Sequence, residues 1–236
     1  MHRYIKPLPM IWLIVGILIF NGCSKPKAPY FATAHPQDDG VLLASEPLSQ
    51  LPLYPTGCES VTAVMALRYA GLDVTIDRFI DNHLKQSSDF YKTNGILYGP
   101  NPYEVFVGDP RSEASYGCMS PVIEQALRSY LKGKKEVLDC GGEDLKDLCH
   151  TYIDANTPVI VWATMDMREA TAGNSWYLED GRLFVWPAGE HCLLLVGYDD
   201  TSYFFNDPRY GTTVAYDHSA TEQAYAALGK QALVIQ

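Results

Sequence analysis

Apolar positions along the chain follow three successive patterns. Residues 7–20, "PLPMIWLIVGILIF", are almost wholly apolar; residues 24–45 mix Pro, Lys and polar residues without a period; beyond them the hydrophobicity becomes periodic. Helical spacing comes first. In "TGCESVTAVMALRYAG", Val61, Met65, Ala66 and Tyr69 recur at intervals that share one helix face. Thr56, with Glu59 three residues on, fits a capping box, and Gly71 stands where a helix ends in a left-handed residue. A second helix is predicted over 120–131, with Pro121 at its first position and Ile123, Ala126, Leu127 and Tyr130 on one side. A third is predicted over 143–155, and shorter ones over 75–83 and 219–228. Strand patterns dominate the second half. "PVIVWATM" (158–165) is a continuous apolar run suited to a buried central strand, and "HCLLLVGYDDTSYFFNDP" (191–208) reads as a hairpin turning at 199–202. Shorter strands are expected at 183–186, 212–216 and 231–235. Helices early and strands late predict an α+β fold, with helices packed on an antiparallel sheet.

The unpatterned beginning sets the domain boundaries. Arg3 and Lys6 precede the apolar run, which at about 14 residues falls short of the roughly 20 that span a bilayer. Gly22–Cys23 follows and resembles the lipobox of bacterial lipoproteins, although Phe20 and Asn21 depart from its usual residues. The expectation is a signal peptide over 1–22, lipidation at Cys23, a tether over 23–45 and one domain over 46–236. The domain would then stand on the extracytoplasmic face of a bacterial cell membrane, held by its N-terminal lipid. An uncleaved signal anchor and simple secretion are the alternatives, and both also place the domain outside the cytoplasm.

Composition narrows the chemistry. A net charge of −10, with no basic cluster beyond "KGKK" (132–135), argues against a nucleic-acid partner. No GxGxxG or P-loop points to a cofactor, and no CxxC or HExxH points to a metal. Of the six cysteines, Cys140 and Cys149 are the closest pair, and in an exported domain they are expected to form a disulfide. Cys58 bridged to a partner such as Cys118 would instead make the domain a disulfide-stabilised spacer.

Cys58 draws attention because it would open its helix. Unpaired N–H groups and the positive end of the dipole there favour a thiolate, although Glu59 alongside opposes it. A basic partner is therefore needed. His191 opens an apolar strand, where it is either a base projecting into a cleft or a satisfied strand-end histidine. Asp207, on the returning strand, is either the acceptor that orients the imidazole or an Asx turn before Pro208. Cross-strand spacing suggests that a bulge or bend brings the two together. Asn206, the rival acceptor, should face the opposite side. For an oxyanion, the Cys58 N–H is one natural donor and the side-chain amide of Gln50 a candidate second.

"SQLPLYPTGCESVTAVMALRYAG", "YGCMSPVI", "TPVIVWATM" and "EHCLLLVGYDDTSYFFNDP" together resemble the C39-like cysteine peptidases of bacteria, a branch of the papain-like fold. The resemblance runs from about Gln50 to Asp207 with its blocks in the family's order. It implies Cys58 as nucleophile, His191 as general base, Asp207 as the third member and Gln50 as oxyanion donor. It also implies a helix carrying the cysteine packed against a sheet carrying His and Asp. The expected partner is a peptide or protein substrate, cleaved at an amide bond. No ATP-binding or transporter region accompanies these blocks, so the double-glycine leaders that classical C39 peptidases trim do not carry over. Acyl transfer to an amine through the same triad, and a surface-binding module without turnover, are the alternatives.

Overall fold

The computed structural model describes residues 40–236; the signal segment, Cys23 and most of the tether lie outside them. In chain order the elements are β1 (Val41–Leu42), α1 (Cys58–Tyr69), α2 (Ile76–His83), β2 (Gln86–Ser87), β3 (Tyr91–Thr93), β4 (Ile96–Tyr98), β5 (Phe106–Val107) and α3 (Ser120–Leu131). They continue with β6 (Val137–Asp139), α4 (Leu145–Leu148), β7 (Val159–Thr164), β8 (Thr171–Tyr177), β9 (Leu183–Ala188) and β10 (Glu190–Tyr198). The last are β11 (Ser202–Asp207), β12 (Thr212–Asp217), α5 (His218–Ala227) and β13 (Ala232–Ile235). Helices and an antiparallel sheet thus share one core, the α+β class the patterns predict. None of the helices among the described residues is long and apolar enough to cross a membrane.

The main sheet runs β12-β11-β10-β7-β13-β6, every pairing antiparallel, with β1 added to the far end of β10. Its centre is β7, whose six residues are all buried, and β10, buried from Glu190 to Gly197. The tether ends earlier than expected. Val41 and Leu42 pair with Tyr198 and Gly197 on the edge that β10 leaves open beyond β7, and Leu43 is buried with its N–H on the Val196 carbonyl.

Helix α1 is buried from Cys58 to Leu67, so it lies inside the core rather than on its surface. Thr62 Oγ1 donates to the Cys192 carbonyl at 3.1 Å and fixes this helix on β10. Gly71, at φ +81°, ends it as expected. The expected capping box does not form. Gly57 is the N-cap and Thr56 Oγ1 turns to the Ser112 carbonyl (3.0 Å), while the Glu59 side chain goes inward. The helix expected at 143–155 is a single α-turn followed by a π-helical turn at Cys149–Ile153.

A second sheet, β3-β4-β8-β9, contains the strand expected at 183–186 as β9, whereas β3, β4 and β8 are not anticipated by periodicity. β3 and β4 are short and β8 is largely exposed, so no alternation marks them, and an aromatic cluster of Phe90, Tyr116, Trp176, Phe184 and Trp186 holds the sheet to the body.

A candidate active site at the start of helix α1

The sequence folds Cys58 into place by simple means. Residues 50–57 form a Pro/Gly-rich turn, and the backbone becomes helical at Cys58 itself. Gly57 is required there: a Cβ would lie 2.9 Å from Tyr54 Cβ and 3.0 Å from Pro110 Cβ. The thiol is buried, is free, and donates to Glu59 Oε2 at 3.4 Å.

His191 and Asp207 meet directly. The imidazole Nε2 lies 2.8 Å from Asp207 Oδ1, with both side chains almost completely buried. The β10–β11 register pairs Leu194 with Asn206, which sets Asp207 across from Leu193 and diagonal to His191. No bulge is needed for this; the one irregularity lies between Leu195 and Gly197, at the other end of the hairpin. Asp207 also accepts the Arg209 N–H (2.9 Å) and the Tyr216 hydroxyl (2.8 Å). Burial raises its pKa, but the charge and hydrogen bond of His191, with Tyr216 and the Arg209 N–H, outweigh that and hold it below the ordinary value. With Nε2 engaged, Nδ1 is the nitrogen left for acid–base work. Asn206 faces away, as alternation requires, donating to Ser45 and accepting from Thr213.

Gln50 is buried and tied to this region. Its backbone N–H donates to the carbonyl of Pro208, next to Asp207, and its Nε2 donates to the Pro55 carbonyl at 2.9 Å. One amide hydrogen remains for another acceptor.

Two carboxyl groups that the motif did not assign complete the site. Glu59 follows the cysteine and Glu190 precedes the histidine, and both are buried. Glu59 Oε1 accepts the Cys118 N–H at 2.6 Å. Carboxylate oxygens of the two, and Cys58 Sγ, lie within 4.8 Å of one another. Burial lifts Glu59 to about 7 and, with the charge of Glu59, carries Glu190 well above the carboxylate range. The Cys58 thiol is likewise pushed well up, by burial first and then by Glu59, Glu190 and Cys192, against a lowering by the Cys192 N–H. The opposition expected from Glu59 is thus present, and burial and Glu190 add to it, so that the helix terminus by itself does not favour the thiolate.

The disulfide expected between Cys140 and Cys149 is not formed, and all five described cysteines are free. Cys140 Sγ donates to the Tyr152 hydroxyl at 3.2 Å, while Cys149 is packed into the π-helical turn. Cys58 and Cys118 are likewise free, without the bridge that the spacer alternative calls for. Cys23 lies outside the described residues.

Comparison with known proteins decides the family. The model of the Peptidase_C39 like family matches residues 42–233. The chain belongs to that family. It is 29% identical over 185 residues to the uncharacterized protein YvpB of Bacillus subtilis strain 168, covering 78% of this chain and 71% of that protein. A crystal structure of a C39-like peptidase from Bacillus anthracis is 27% identical and superposes with a TM-score of 0.72. That match covers 84% of this chain and 98% of the other. Family and neighbour both point to a cysteine peptidase-like function.

Proposed function

We propose that the protein is a cysteine peptidase-like hydrolase of papain-like fold, cleaving peptide or other amide bonds with Cys58, His191 and Asp207. The observation that carries this is the buried 2.8 Å bond from His191 to Asp207 beside the helix that starts at Cys58. In the reaction His191 Nδ1 takes the thiol proton, Cys58 Sγ attacks the carbonyl carbon, and the proton passes to the leaving amine. Water then attacks the thioester, releasing the acid and restoring the thiol. The Cys58 N–H and the remaining Gln50 amide hydrogen serve the oxyanion, at about 3 kcal/mol per donor. Lipidation at Cys23 would set this activity at the outer face of a bacterial membrane, on peptide or protein substrates.

The second reading is a surface-binding module without turnover, favoured by the neutral, buried Cys58 thiol. A fluorescent peptidyl vinyl sulfone separates the two on the full chain in detergent. A hydrolase gives an adduct mapped to Cys58 and lost in His191→Ala. No adduct from the peptide probe, with iodoacetamide still reaching Cys58, favours the binding module.

A further inference from the structure

Glu59 and Glu190 raise a question that the triad does not answer. Both are buried beside a buried thiol, and a Cβ built on Gly117 would lie 2.4 Å from Glu59 Oε1 and 3.2 Å from Glu190 Oε2. The two carboxyl groups thus close around one glycine at φ +146°, roofed by Trp186 (3.3 Å from the same point). No Lys or Arg makes an ion pair with either of them among the described residues. Two carboxylates so placed cannot both be charged. Glu190 Oε1 has no hydrogen-bond partner, whereas both oxygens of Glu59 are engaged, one by the Cys118 N–H and one by the Cys58 thiol. The titratable groups facing the pair are Cys58 from α1, Cys118 from the loop before α3, and His191 and Cys192 from β10.

We propose that Glu59 and Glu190 are positioning residues for the reacting thiol, a carboxyl pair that joins the residue after the nucleophile to the residue before the histidine. Chain connectivity gives the pair this reach: each carboxyl is borne by the residue bonded directly to Cys58 or His191. Glu59 further fixes the Cys118 loop, whose carbonyl accepts Trp162 Nε1 at 2.9 Å on the sheet's central strand. The role rests on the assignment of Cys58 and His191 above. Neutrality is what the pair needs, so an uncharged isostere should replace it.

The test is the rate of iodoacetamide labelling at Cys58 between pH 5 and 9, for wild type, Glu59→Ala, Glu59→Gln, Glu190→Gln and the double Gln variant, each first confirmed folded by thermal unfolding. At pH 6 Glu59→Ala should label at least about tenfold more slowly or more erratically among cysteines, and Glu59→Gln should recover to within about threefold of wild type. Above pH 7, where wild-type Glu59 ionises next to the thiol, Glu59→Gln should label faster than wild type, because the opposing charge is gone. Gln variants as impaired as Ala at pH 6, or an Ala variant matching wild type throughout, overturn the proposal. So does a stoichiometric divalent metal in the purified protein that is lost in Glu190→Gln, which would make the pair ligands instead. Should Glu59→Ala not fold, the Gln profiles decide alone. His191→Ala in the same series keeps the outcomes apart: unchanged labelling there sinks the hydrolase assignment while leaving the measured effect of the carboxyl pair in place.

Discussion

Two pairs of buried side chains involve adjacent residues of β10, and they solve the same problem in opposite ways. His191 is joined to Asp207, an acid that accepts a ring nitrogen, a backbone N–H and a hydroxyl. Glu190, one residue earlier, meets another acid and keeps an oxygen without a partner. Well supplied with donors and a cation, Asp207 is stabilised as the anion and its pKa falls; burial outweighs the fewer donors around Glu59, and burial followed by the charge of Glu59 raises Glu190, so both of theirs rise. Burial is common to both pairs. Whether the partners outweigh burial decides the protonation state.

The contrast is broken most severely at the histidine pair. If the proposed roles hold, replacing His191 by Ala should lower turnover of any peptide substrate by about 10³-fold or more, since a base and its orienter act as a unit. Asp207→Ala should also destabilise the fold, by about 3 kcal/mol, because His191, Tyr216 and the Arg209 N–H all lose their acceptor inside the protein. Denaturant unfolding of both variants checks this: His191→Ala should lose activity with the smaller loss of stability.

How much of this was legible in the sequence differs between the two pairs. Strand alternation put Asp207 on the right side of the hairpin and Asn206 on the wrong one, and the imidazole's reach made a bulge unnecessary. Cys58 at a helix start followed from the Pro/Gly turn before it. Glu59 was misread because a capping box is a local rule, and a tertiary acceptor role at the Cys118 N–H overrode it. Glu190 was passed over because its partner lies 131 residues away, and no local pattern records a contact at that distance. In the second sheet β9 is legible but β8 is not, for another reason: six of the seven residues of β8 are exposed, so burial imposes no period on them.

Next in size is Gly117→Ala. The glycine occupies a backbone region that other residues rarely adopt, and the new Cβ would overlap Glu59 Oε1. Strain of about 1–3 kcal/mol is expected, with the carboxyl pair driven apart. A drop in melting temperature accompanied by slower Cys58 labelling would tie the pair to the thiol; a drop with unchanged labelling would confine the damage to stability.

The two pairs should also give opposite pH dependences. Glu59, raised from 4.5 to about 7 in the fold, binds its proton more tightly folded than unfolded. Its contribution to stability is therefore complete below about pH 4.5 and is lost as pH rises through about 7. Asp207, lowered in the fold, contributes above its unfolded value of 3.8 and loses that contribution as pH falls through its folded value. Thermal unfolding across pH 3–8 should show wild type losing stability relative to the Glu59→Gln, Glu190→Gln double variant between about pH 4.5 and 7. A constant difference over that window would mean that the two acids do not titrate with folding.

The smallest effect is the sharpest probe of the satisfied pair. Tyr216→Phe removes one hydroxyl, 2.8 Å from Asp207 Oδ2, and leaves the ring packed near Phe205. The loss should be about 1.5 kcal/mol at pH 7, the scale of a hydrogen bond to a charged acceptor. That hydroxyl also helps to hold the Asp207 pKa down. In the variant, the folded pKa therefore rises toward the unfolded one, and the acid-side loss of stability begins at higher pH. Since His191 and the Arg209 N–H still hold Oδ1, labelling of Cys58 near neutral pH should change less than threefold. A much larger fall would mean that the hydroxyl orients the carboxylate as well as stabilising its charge, so that the histidine's geometry depends on a third strand, β12.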